Sequence, residues 1–149
     1  MKQCSNIAMK KGFTLVELLI VMAILGILAS LILAVLGGSE EKARDTRIKV
    51  ELNQLRNVAG MIKIDDKDYD RLCIDKPSPD CASDVLLLRD DIAVQGGELI
   101  INKTTPALYY AAYSKLNVKK DGNTVYFCVD SYGMAKETTT EPVGATQCP

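Results

Sequence analysis

Histidine and tryptophan are missing from this 149-residue chain, and phenylalanine occurs only twice. Without histidine, the commonest general base and the commonest zinc ligand are both gone. The Gly-x-Ser-x-Gly turn of serine hydrolases does not occur either, so only a lysine- or carboxylate-based scheme would be left. The acids that such a scheme would draw on cluster in what reads as a loop. The sequence therefore predicts no enzyme and offers no catalytic residue. Charge of one sign is also lacking, with 18 Lys and Arg against 19 Asp and Glu. No basic patch or aromatic–basic interleaving appears, so no nucleic-acid partner is indicated. No internal repeat is visible.

What the chain does have is one long apolar run near its beginning. From Leu18 to Ser39 no residue is charged. A helix needs roughly 20 such residues to cross a hydrocarbon core of about 30 Å. Secretory signals carry a shorter apolar stretch of about 7–15 residues followed by small residues at a cleavage site, and this run is too long for that pattern. Lys10, Lys11 and Gly12 precede it, Phe13 opens it, and Glu17 sits inside it. A carboxylate within the apolar part of a spanning helix is expensive and normally has a partner and a purpose. Cleavage after Gly12 would give Phe13 a new amine four residues from that acid.

The stretch Gly12-Phe13-Thr14-Leu15-Val16-Glu17-Leu18 resembles the class III signal of type IV pilins and type II secretion pseudopilins. The resemblance implies that Gly12 ends a basic leader cut by a prepilin peptidase, that Phe13 becomes the N-methylated terminus, and that Glu17 is the assembly acid. It also implies a helical homo-oligomeric filament served by a cytoplasmic assembly ATPase and an inner-membrane platform. In such a filament, Glu17 of one subunit would neutralise the Phe13 amine of a neighbour. The expected organisation is a leader over residues 1–12, a transmembrane and filament-core helix over 13–38, an amphipathic helix over 39–64, and a small extracytoplasmic domain over 65–149. The expected fold class is α+β, a long N-terminal helix packed on a small antiparallel sheet.

Losing the leader would remove Lys2, Lys10 and Lys11 and no acid, taking the formal charge from −1 to about −4. Those lysines should stay cytoplasmic under the positive-inside rule, leaving the bulk of the chain outside a single span. Cys4 would leave with the leader; Cys73, Cys81, Cys128 and Cys148 remain, which reads as two disulfides with three possible pairings. The local pairing, Cys73 with Cys81 and Cys128 with Cys148, closes two modest loops and is the one expected; the second loop resembles the C-terminal disulfide loop of many pilins. A four-cysteine zinc site is the rival, but neither pair has the tight C-x2–4-C spacing such sites favour.

Beyond the apolar run, Gly37-Gly38 reads either as a helix end, with a new helix beginning at Ser39 behind an acidic first turn, or as a soft point in one continuous helix; the family pattern implies the continuous helix, which is the one expected. From Phe13 to Ile64 such a helix would be about 78 Å long at 1.5 Å per residue. Ile48, Leu52, Leu55, Ala59 and Ile62 form an apolar stripe, with Glu51, Arg56 and Lys63 off it. The run Asp65–Asp70 ends the helix. Asp66, Asp68 and Asp70 have the spacing of a calcium-loop start, but Arg71 and Pro77 stand where glycine and glutamate are needed. No cofactor is expected, and calcium has no motif behind it.

Residues 73–81 read as a proline-rich loop, Val85–Leu88 as a helical turn packing on the spine, and 98–102 as a strand. Residues 106–116, with Tyr109, Tyr110 and Tyr113, read as a strand whose aromatics belong to the core. Asp121-Gly122 is a hairpin turn, followed by the alternating Val125, Phe127 and Val129. Ser131-Tyr132-Gly133 turns the chain back into a last strand over 134–138. The tail over 139–149 would be loose unless Cys148 ties it back.

The expected function is thus a structural subunit of a type IV pilus or type II secretion pseudopilus, resident in the cytoplasmic membrane before assembly into a periplasmic or surface filament. The alternative is a single-pass anchored extracytoplasmic binding domain, adhesin-like, that does not polymerise.

Overall fold

The structure, a computed structural model, describes residues 13–36, 38–76 and 79–149. The leader, with Cys4 and the cleavage-site Gly12, lies outside the described residues. The chain divides into two compact units, Met1–Gly38 and Ser39–Pro149.

In the first unit, helix α1 runs over Leu15–Leu36. Its residues are leucine, isoleucine, valine and alanine in the main, and the leucines and alanines among them are strong helix formers. The described apolar side chains of α1 are exposed all round, from Leu15 to Ile32. A helix apolar on every side has no core stripe and is built for lipid or a dense assembly. The structure differs here from the expected single helix. Gly38 lies in a turn, and a second helix, α2, begins at Ser39. Paired glycines each cost a helix about 1 kcal/mol against alanine, so this is where a break is cheapest.

In the second unit, α2 spans Ser39–Asp66 and α3 spans Ser83–Val94. Strands β1 (Ile100–Lys103), β2 (Tyr110–Lys115), β3 (Tyr126–Asp130) and β4 (Ala135–Thr138) form an antiparallel meander in sequence order. The stripe Ile48, Leu52, Leu55, Ala59 and Ile62 is buried throughout. Helix α3 and the sheet both pack on α2, so the buried arc is wider than the stripe and takes in Asp45 and Glu51 as well. Glu51, placed off the packing face by periodicity, is in fact buried. The segment around Val85–Leu88 is a helix of three turns rather than one, with Val85, Leu88 and Ile92 facing inward.

The sheet has two covered faces. Ile101, Ala112, Phe127 and Val129 join the core on the helix side. Ala111, Tyr113 and Cys128 form a second cluster with Cys148 from the tail. Period-2 alternation produces both faces at once, because neighbouring residues point to opposite sides of a strand. The turn Lys120–Asn123 closes through paired backbone hydrogen bonds of 3.0 and 2.9 Å. Asp121 and Gly122 there have φ of 52° and 80°, the left-handed pair that a two-residue hairpin requires.

Disulfides join Cys73 to Cys81 and Cys128 to Cys148. The tail is held by more than its cysteine. Asn102 donates from Nδ2 to the carbonyls of Pro142 and Ala145, at 2.8 and 3.0 Å. The buried carboxylate of Asp130 accepts from the backbone N–H of Cys148 at 2.9 Å and, through its other oxygen, from Tyr132 and Met134 at 3.0 Å each. Of the three tyrosines expected in the core, Tyr110 and Tyr113 are buried. Tyr109 faces solvent and stacks on Tyr132 with centroids 5.3 Å apart.

Candidate functional site

The residues that carry the sequence signature meet at the start of α1. Phe13 precedes the helix and is 85% exposed. Thr14 is the residue just before the first helical position, and Glu17 lies in the first turn. Oε2 of Glu17 accepts hydrogen bonds from the Thr14 backbone N–H at 3.0 Å and from the Thr14 hydroxyl at 2.9 Å. In return, Oγ1 of Thr14 accepts from the Glu17 backbone N–H at 3.2 Å. This is a capping box, which satisfies two of the N–H groups that every helix start leaves without an intrahelical partner. The signal for it was in the sequence: Thr14-Leu15-Val16-Glu17 has the required threonine and glutamate three apart. Sequence reasoning took Glu17 for a partner of Phe13 and passed over Thr14.

Two consequences follow for the carboxylate. It is held against its own helix start before any neighbour arrives, so little side-chain freedom is left to lose on pairing. Its Oε1 accepts no hydrogen bond among the described residues, which leaves one oxygen for an incoming cation. A charged acceptor of this kind makes the stronger class of hydrogen bond. Gly12, the cleavage-site residue, lies outside the described residues.

The first unit therefore pairs an oriented acid with a helix that is long and apolar enough to cross a membrane, with a mean hydropathy of 2.8 over Leu15–Ile32. Residues 7–36 carry a prokaryotic N-terminal methylation motif. The motif-bearing chain is 40% identical over 60 residues to the type II secretion system core protein G of Klebsiella pneumoniae, covering 40% of this chain and 43% of that protein. Against core protein G of Aeromonas hydrophila the identity is 42% over 60 residues, with 40% and 42% covered. It is also 42% identical over 59 residues to the type IV wide pilus major component PilA4 of Thermus thermophilus, covering 40% of this chain and 45% of that one. The chain thus spans less than half the length of the curated relatives it matches. No solved structure matches it.

The remaining candidates are placed as follows. Among the described residues, Asp66, Asp68 and Asp70 do not form a group at metal-ligand distance. Asp66 lies 3.5 Å from the Arg71 guanidinium, and Asp68 accepts from the Asp70 backbone N–H at 2.9 Å. Cys73, Asp75 and Cys81 do come within metal-ligand reach of one another. The two sulfurs are joined in a disulfide, which removes the thiolates a metal would need. Ser39 and Lys42 stand at Ser-x-x-Lys spacing on the first turn of α2, but both are exposed.

Proposed function

We propose that the chain is a structural subunit of a type IV pilus or type II secretion pseudopilus, polymerised through its N-terminal helix. The observation that carries this reading is α1 itself: apolar on every described side and headed by an acid that its own threonine orients. Lipid satisfies such a surface, and so do the helices of sister subunits. Transfer from one to the other then leaves the apolar area covered, and filament growth needs no covalent link.

In this reading a prepilin peptidase cuts after Gly12 and the new amine of Phe13 is methylated. Methylation keeps the nitrogen cationic. The free oxygen of Glu17 receives that cation from a neighbouring subunit, which sets the axial position of each arriving helix. Removing one partner of a buried ion pair leaves the other uncompensated, and that penalty makes the register specific. The cysteine-bearing domain lies outside the cytoplasmic membrane, where disulfides persist. The assembly ATPase and the membrane platform are the expected partners.

N-terminal sequencing of the chain from a host with an intact export apparatus tests the reading. A start at N-methyl-Phe13 supports it; a start at Met1 identifies an uncleaved anchor on a non-polymerising domain and refutes it.

A further inference from the structure

The second unit is acidic as a whole, with 15 Lys and Arg against 18 Asp and Glu over residues 39–149. Its charge is not evenly spread. The last residues of α2 and those just after it carry Asp65, Asp66, Asp68 and Asp70. Near the first turns of α2, by contrast, a cavity of about 320 Å3 opens between the helix and the loop after β2. Lys42 and Lys49 line it from α2, and Lys119 and Lys120 from the loop.

The acids at this cavity are already engaged. Asp45 is buried, with one oxygen accepting from the backbone N–H and side-chain amide of Asn117, and the other from the N–H of Val118. Those bonds pin the loop that presents Lys119 and Lys120. Glu137 takes Lys49 at 2.6 Å. The ammonium groups of Lys42, Lys119 and Lys120 have no ion-pair partner among the described residues. Four lysines against two carboxylates leave this lining with a net charge of about +2, on an otherwise acidic domain, which favours an anion.

We propose that this cavity seats the phosphate of an anionic phospholipid headgroup in the leaflet that α1 leaves. The inference rests on the membrane anchoring proposed above. Only two glycines separate the last residue of the apolar helix from the first of α2. Chain connectivity alone thus keeps Lys42 close to the lipid–water boundary, where basic residues gain most from anionic lipid. The headgroup would hold the domain to the bilayer until the subunit is withdrawn into an assembly, so anionic lipid would set how readily subunits leave the membrane.

The test is lysine acetylation footprinting of the full chain, reconstituted in phosphatidylcholine vesicles with or without phosphatidylglycerol. Flotation first establishes that the chain is in the bilayer; failure to float refutes the anchoring reading and this inference with it. For chain that floats, phosphatidylglycerol is expected to lower acetylation of Lys42, Lys119 and Lys120 severalfold, with Lys63, Lys76 and Lys103 unchanged and added salt reversing the effect. Equal labelling in the two vesicle types overturns the proposal while leaving anchoring intact. So does equal protection of all six lysines, which indicates non-specific adsorption. Protection by free glycerol phosphate in pure phosphatidylcholine also overturns it, because the ligand is then soluble. In the variant Lys42→Gln, the protection of Lys119 and Lys120 by phosphatidylglycerol should shrink; full protection of both counts against a shared site.

Discussion

Replacing Asp130 with alanine tests whether one buried carboxylate fastens the last turn of the sheet to the C-terminal tail. The residue is 2% exposed and has no ion-pair partner among the described residues. Its three donors are backbone amides. Tyr132 and Met134 lie on an exposed turn, so their N–H groups regain water when the carboxylate goes, and each loss is about 0.5–1.5 kcal/mol. The Cys148 amide is buried and has no such substitute, which makes its loss about 1–3 kcal/mol. The total comes to roughly 3 kcal/mol once relief from burying a charge is set against it. For a domain of this size that corresponds to a fall in Tm of about 12 °C. Asp130→Asn keeps one acceptor oxygen but turns an amide group toward an N–H donor, so it should fall between the alanine variant and the parent. Near-UV circular dichroism of the oxidised full chain in detergent reports the transition through the buried tyrosines. Opening the bridge with Cys128→Ser and Cys148→Ser should shrink the alanine effect by about half, since the tail amide no longer needs its acceptor. An alanine variant that melts within about 4 °C of the parent would refute the assignment.

Further outcomes are expected elsewhere. Glu17→Gln preserves an acceptor for the Thr14 cap and removes the charge, so insertion and leader cleavage should persist while filaments vanish under electron microscopy; normal filaments would reduce Glu17 to a helix cap. Thr14→Val, which breaks the cap and keeps the charge, should slow assembly without abolishing it in the same assay. At Gly97 an added Cβ would lie 2.6 Å from Ser114 Oγ, 2.9 Å from Ile92 Cγ2 and 3.0 Å from Ile48 Cδ1. Gly97→Ala should therefore lower stability by about 1–3 kcal/mol in a denaturant titration. Burial pushes the Tyr110 phenol well above its ordinary value, with Tyr69 and Asp130 adding to the rise against the opposing Arg56. The unfolded chain loses that proton first, so stability is complete below about pH 10 and falls as pH rises further. Ultraviolet titration should show one phenol ionising only with unfolding, and Tyr110→Phe should remove it.

The parts of the fold legible in the sequence were those with a local period. The stripe from Ile48 to Ile62, the alternation at Val125, Phe127 and Val129, and the Asp121-Gly122 turn each depend on residues a few positions apart. What escaped depends on distant partners. Periodicity finds the centre of a helix's buried face but not its width. The burial of Asp45 and Glu51 follows from α3 and the sheet flanking α2 on two sides. Asp130 carries no local signal, because its third donor comes from 18 residues away. Tyr109 lies just before the first residue of β2, where strand alternation no longer assigns a face, and it stacks on the exposed Tyr132 instead. At the candidate site the residues themselves were legible, while the service Thr14 performs for Glu17 was missed because the motif was read for membrane chemistry alone.

The meander ends on two short strands, four residues each. Unpaired strand borders invite other sheets to zip on, and brevity together with charge discourages it. Lys136 and Glu137 occupy the β4 border, and the β1 border carries Lys103 beside an asparagine already committed to the tail. Crowded shoulder to shoulder along a filament, such heads would not fuse into one continuous ribbon of sheet. Cohesion would then rest with the stems, and each head would stay a separate, exchangeable module.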